Sequence, residues 1–119
     1  MANVKLGTKA VGSIVKIKVN GASKDFIVVQ QGNPNTSTYD SSCNGTWLLM
    51  KDIYTTSTFG NNNSYKDSSI HTYLKGTFYN LIDSNIRAAI KQVKIPYQNG
   101  TGSGGSLATG SNGLSTKVF

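Results

Sequence analysis

Apolar and polar residues alternate from Val15 to Val19 within "SIVKIKV", Ser13 to Val19. Val15, Ile17 and Val19 fall on one side and Lys16 and Lys18 on the other, the pattern of a half-buried strand. "NGAS" follows with an Asn-Gly pair that accepts positive φ. "KDFIVVQQ" then resumes an apolar run, so the two segments predict an antiparallel hairpin. "GNPNTSTYDSSCNG", Gly32 to Gly45, concentrates turn formers and predicts a surface loop without regular structure. "TWLLMKDIY", Thr46 to Tyr54, is dense in large apolar groups and predicts a buried central strand or extended core segment paired with the hairpin.

After a second polar loop, "TTSTFGNNNSYKDSS", any of Asp67, Ser68 and Ser69 can cap a helix start. Ile70, Tyr73, Leu74, Thr77 and Phe78 recur at helical spacing on one stripe, which leaves His71, Thr72 and Lys75 on the helix surface. Gly76 weakens that helix, and "FYNLI" reads as a loose turn. Asp83 and Ser84 then cap a second short helix, "SNIRAAIKQV", with a stripe of Ile86, Ala89, Ile90 and Val93. "VKIPY" predicts a short strand, "QNGTGSGGSLATGSNGLS" a flexible connector, and "TKVF" a strand-like ending.

These elements predict one α+β domain, an antiparallel sheet with two short helices. Within residues 1–119 the expected division is an arm over 1–12, a core over 13–97, a Gly/Ser-rich loop over 98–115 and the start of a strand over 116–119. The expected core-packing residues are Trp47, Ile70, Tyr73, Leu74, Phe78, Ile86 and Ile90.

Charge changes the picture in one direction. Twelve Lys plus Arg stand against five acids, giving +7, a field that attracts polyanions without selecting among them. Lys16 and Lys18 share the outer face of the first strand and are the expected anion contacts. Only one arginine, Arg87, is present, and no aromatic alternates with those lysines to stack on bases. Nucleic-acid binding is therefore the second reading of the charge, behind a solvated lysine face.

Candidate chemistry is sparse. The acids are aspartates scattered singly, so neither a calcium loop nor a carboxylate pair is predicted, although Asn61 to Asn63 are oxygen-rich. Cys43 and His71 are each the sole residue of their type, and no motif surrounds either. They read as a surface loop thiol and a surface histidine, not as a catalytic pair. No Gly-x-Ser-x-Gly elbow occurs, and "GTGSGG", Gly100 to Gly105, lacks the lysine and helix start of a phosphate loop. No catalytic, cofactor or metal site is predicted. One cysteine excludes an intrachain disulfide and suits a reducing compartment or a virion. No signal peptide and no membrane span is predicted.

Taken together, "DFIVVQQGNP", "YDSSCNGTWLLMKDIY", "SSIHTYLKGTFYNLIDSNIRAAIKQVKIPY" and "NGLSTKVF" resemble a domain family found in prophage tail regions and gut bacterial genomes. "IHTYLKGTFYNLI" and "AIKQVKIPY" are the most specific parts. The resemblance implies a C-type-lectin-like fold, similar also to formylglycine-generating enzymes, of which this chain carries the N-terminal half. It places Ile70, Tyr73 and Leu74 in the core and His71 on the flank of a helix.

The function it implies is that of a non-enzymatic phage or prophage tail-associated protein, serving in assembly or surface recognition. Its expected partners are other tail or virion proteins, or a host-surface glycan or protein, with a homo-oligomer if exposed strand edges pair. The implied location is the virion tail, or the bacterial cytoplasm before assembly. True lectin calcium motifs and paired cysteines do not occur, so the resemblance transfers no sugar site to any residue.

Overall fold

A computed structural model describes residues 5–60, 64–99 and 106–119. Strands β1 (Ile14–Val19) and β2 (Ala22–Gln31) form the expected hairpin, with Lys16 opposite Asp25 and Val19 opposite Ala22. Asn20 and Gly21 both take positive φ, 52° and 81°, the backbone that a two-residue turn between right-twisted strands requires. Strand β3 (Thr46–Met50) pairs antiparallel with β2, giving the order β1-β2-β3. The expectation of a central position for "TWLLM" is therefore corrected. β2 is central, and β3 is an edge strand that half-buries one face and leaves Leu49 59% exposed on the other. A uniformly apolar run does not distinguish burial on both faces from an apolar edge.

A single turn, Tyr65–Asp67, leads into helix α1 (Ser69–Tyr73). Of the three expected caps, Ser68 does the capping: its hydroxyl oxygen accepts from the His71 backbone amide at 3.1 Å. The helix does not fray at Gly76. It widens into a π-helical turn, Leu74–Phe78, and closes in a last turn, α2 (Tyr79–Leu81). "FYNLI" is thus largely helical where a loose turn was expected, because Phe78 must stay on the buried stripe.

The chain then bonds to the hairpin, with the Asn20 amide donating to the Leu81 carbonyl at 2.7 Å and the Asp83 amide to the Lys18 carbonyl at 3.0 Å. Helix α3 (Ser84–Arg87) is shorter than expected. Val93 belongs instead to β4 (Val93–Ile95), which pairs with β7 (Leu114–Thr116). Beyond Pro96, β5 (Tyr97–Asn99) pairs with β6 (Ser106–Ala108). Both ribbons draw on residues expected to be connector, and the last strand ends at the start of the span 116–119 that was expected to begin one. Three-residue strands take their stability from pairing across the sequence, which local pattern does not report. Gly113 enters β7 against the β4 backbone, where a Cβ would stand 2.7 Å from the Ile95 carbonyl oxygen. "GTGSGG" and Asn61 to Asn63 lie outside the described residues.

The protein is therefore an α+β domain built on antiparallel sheets. Ile17, Val19, Phe26, Phe78 and Ile82 form the core, where β1 and β2 meet the helical segment. Of the residues expected to pack, Phe78 is in it, and Tyr73, Leu74, Ile86 and Ile90 lie half-buried against it. Trp47 packs elsewhere, between Tyr39 at 5.6 Å and Phe119 at 5.5 Å. The arm is tied down too, since the Gln31 side-chain amide donates to the Leu6 and Lys9 carbonyls at 2.8 Å.

Candidate functional site

A cleft of about 340 Å³ opens where the edge of β3 meets the helix and the C-terminal residues. Phe26, Leu48, Leu49 and Met50 contribute from the sheet, Ile70, Tyr73, Leu74 and Phe78 from the helix, and Val118 and Phe119 from the end of the chain. The segment after β3 supplies Ile53 and Tyr54. Tyr54 is held edge-on against Phe78 at 5.4 Å, while Ile53 is 88% exposed.

The π-helical turn shapes this cleft, because Leu74 and Phe78 at its two ends both line it. Among the described residues, Asp52 brings the only charged side chain to the lining. A smaller neighbouring notch of about 130 Å³ shares Asp52 and adds Lys24 and Asp25, with the Lys24 ammonium 6.0 Å from the Tyr54 ring centroid. The result is an apolar cleft with a charged rim, within the size range of small-ligand and anchor-residue pockets.

Ile70, expected as core, is a half-buried wall residue here. Helical periodicity marks the stripe on which it lies, but no local pattern signals that Ile53, Val118 and Phe119 meet that stripe.

The two residues with the most chemical potential are both buried, which corrects two expectations. His71 is 1% exposed, not on the helix surface, because the Tyr65–Asp67 turn folds the Tyr65 ring over it at 4.8 Å. Its Nδ1 is buried with no hydrogen-bond partner among the described residues. Burial, aided by the positive charge of Lys75, lowers its pKa below the usual histidine value.

Cys43 is 2% exposed, not a surface thiol. The turn Ser41–Cys43 packs on β4, where the thiol donates to the Lys94 carbonyl at 3.1 Å. Burial raises the Cys43 pKa, so the thiolate needed for nucleophilic chemistry is disfavoured. Each side chain is thus engaged in its own packing environment.

A neutral His71 links stability to pH. The unfolded chain protonates this group near pH 6.5 and the folded chain only at lower pH, so the stabilisation is complete above about pH 6.5 and is lost as pH falls below it. The melting temperature is expected to drop between pH 7.5 and pH 5 in the natural protein. In His71→Gln the drop over that interval should vanish, as read by thermal denaturation at both values.

Lys16 and Lys18 remain exposed on the outer face of β1. Lys16 donates to Asp25 at 2.6 Å, so half of the expected anion-contact pair is matched locally by an acid. That hydrogen bond is the largest influence holding the Asp25 pKa below the usual carboxylate range, with the charges of Lys16 and Lys51 adding to it. Among the described residues, no three His, Cys, Asp or Glu side chains gather to hold a metal ion. No helix among them is long and apolar enough to cross a membrane.

Comparison with known proteins matches residues 44–119, more than half of the chain, to the family described as Domain of unknown function (DUF6273). The chain belongs to that family. The matched region runs from Asn44 through β3, the helices and both ribbons to Phe119, and so includes every wall of the cleft except Phe26. The β1–β2 hairpin lies outside it. No curated protein and no solved structure matches the chain.

Proposed function

We propose that this domain is a non-enzymatic recognition module of a phage or prophage tail, and that it holds its ligand by an apolar anchor in the cleft beside β3. The carrying observation is the cleft itself, apolar along three walls and entered past the 88% exposed Ile53. An isoleucine so exposed gains nothing from folding and gains burial on binding. The resemblance to prophage tail domains supports the setting, and the engaged, buried states of Cys43 and His71 support recognition over catalysis.

Between the two expected surface ligands, the lining favours protein over glycan. A sugar presents hydroxyls that need convergent donors and acceptors, whereas this cleft offers aliphatic and aromatic walls with one side-chain carboxylate. A leucine, isoleucine or aromatic side chain of a surface protein fits that chemistry.

The test uses fluorescently labelled protein and a panel of gut bacterial cells. Saturable binding is expected, removed when proteases strip the cell surface and weakened at least about tenfold in Ile53→Asp, since a carboxylate placed in the cleft is left unpaired there. Ile53 is too exposed for this change to disturb the fold. Binding that survives both treatments would overturn the reading.

A further inference from the structure

The outer face of the three-stranded sheet, opposite the core, carries a second surface, which shares Leu49 with the cleft and is otherwise built from other residues. Register places Ile14 opposite Ile27 and Ile27 opposite Leu49, a continuous apolar row across all three strands. Ile14 is 45% exposed and Leu49 59%, and Val29, at the irregularity in β2, is 42% exposed beside them. The next row is charged. Lys16 lies opposite Asp25, and the Lys51 amide donates to the Asp25 carbonyl at 2.9 Å, which continues that row onto the chain after β3. Lys18 extends it along β1. Lys16 and Lys51 thus flank Asp25, with Lys18 opposite Ser23 beyond them, alongside a partly exposed apolar stripe.

We propose that this face docks an acidic protein surface that presents an apolar stripe flanked by carboxylates. Charge complementarity selects the occupant. A second copy of the chain would bring lysine row against lysine row between two molecules of charge +7. Nucleic acid would meet aliphatic side chains along the middle of the face, which neither pair with phosphates nor stack on bases. An acidic amphipathic surface satisfies both rows at once, with the apolar contact as its core and the ion pairs as its rim.

The experiment titrates the isotope-labelled full chain with a synthetic peptide alternating glutamate and valine, followed through backbone amide shifts. Poly-glutamate, a short DNA duplex and anionic phosphatidylglycerol vesicles serve as competing probes. Expected are shifts at Ile14, Lys16, Lys18 and Ile27, none of which lines the cleft, with affinity reduced about tenfold in Ile14→Ser and in Lys18→Glu and unchanged in the cleft variant Ile53→Asp. Both Ile14 and Lys18 are exposed, so the variants should fold, which their melting curves check. Equal or tighter binding of poly-glutamate, DNA or vesicles, self-association through this face, or no shift with the alternating peptide would each overturn the proposal.

Discussion

Replacing Phe78 with alanine is expected to cost about 3–5 kcal/mol of stability. The side chain is 7% exposed, joins Ile17, Val19, Phe26 and Ile82 in the core, and receives the Tyr54 ring edge-on at 5.4 Å. Its loss removes burial on the helical side and the aromatic contact that holds the segment after β3. It also leaves a cavity that a π-helical turn, already fixed by Leu74 at its other end, cannot readily collapse. Against a typical total of about 5–15 kcal/mol, this is between about a fifth and all of the protein's stability. Urea denaturation followed by circular dichroism measures it. A midpoint displaced by less than the equivalent of about 1 kcal/mol would show that the core does not depend on this contact.

Trp47→Ala is expected to cost about 2–4 kcal/mol, although Trp47 lies outside that core. The indole edges against Tyr39 and Phe119, and its Nε1–H donates to the Cys43 carbonyl at 3.1 Å. One side chain thereby joins the 32–45 loop, the edge strand and Phe119. Each aromatic pair is worth about 0.5–1.5 kcal/mol beyond burial and the hydrogen bond about 1 kcal/mol. Trp47→Phe separates these contributions. It keeps a ring between its two neighbours and loses the donor, so a loss near about 1 kcal/mol is expected in thermal or urea denaturation. Equal losses in the two variants would mean that the hydrogen bond, and not the aromatic packing, fastens the loop.

The contrast between these two residues shows what the sequence made legible. Phe78 was readable because it sits on a local helical stripe, and the β1–β2 hairpin because Asn20 and Gly21 write the turn between two alternating runs. The same kind of short-range rule narrowed the cap to Asp67, Ser68 or Ser69, and the fold uses Ser68. What was not readable depends on distant partners. His71 lies off the stripe in its own helix and is buried by Tyr65 from the preceding turn. Cys43 is buried by a strand 51 positions later, through Lys94.

The cleft was legible only in part. Tyr73, Leu74 and Phe78 were expected as packing residues, and they are, but a packing stripe predicts no opening. The opening exists because β3 is an edge strand and because Val118 and Phe119 return to it, neither of which periodicity records. The outer sheet face was half legible. Lys16 and Lys18 were seen together, while the apolar row beside them needed the register of β2 and β3.

The central claim, that the cleft beside β3 selects an apolar side chain, is tested most directly by amide-shift titration of the full chain with N-acetyl-phenylalanine amide and, separately, with N-acetylglucosamine. The amino-acid amide is predicted to shift Ile53, Tyr54, Tyr73 and Val118 in a saturable manner, and the sugar to leave them unmoved. Shifts of these residues with the sugar alone, or none with either probe, would contradict the account.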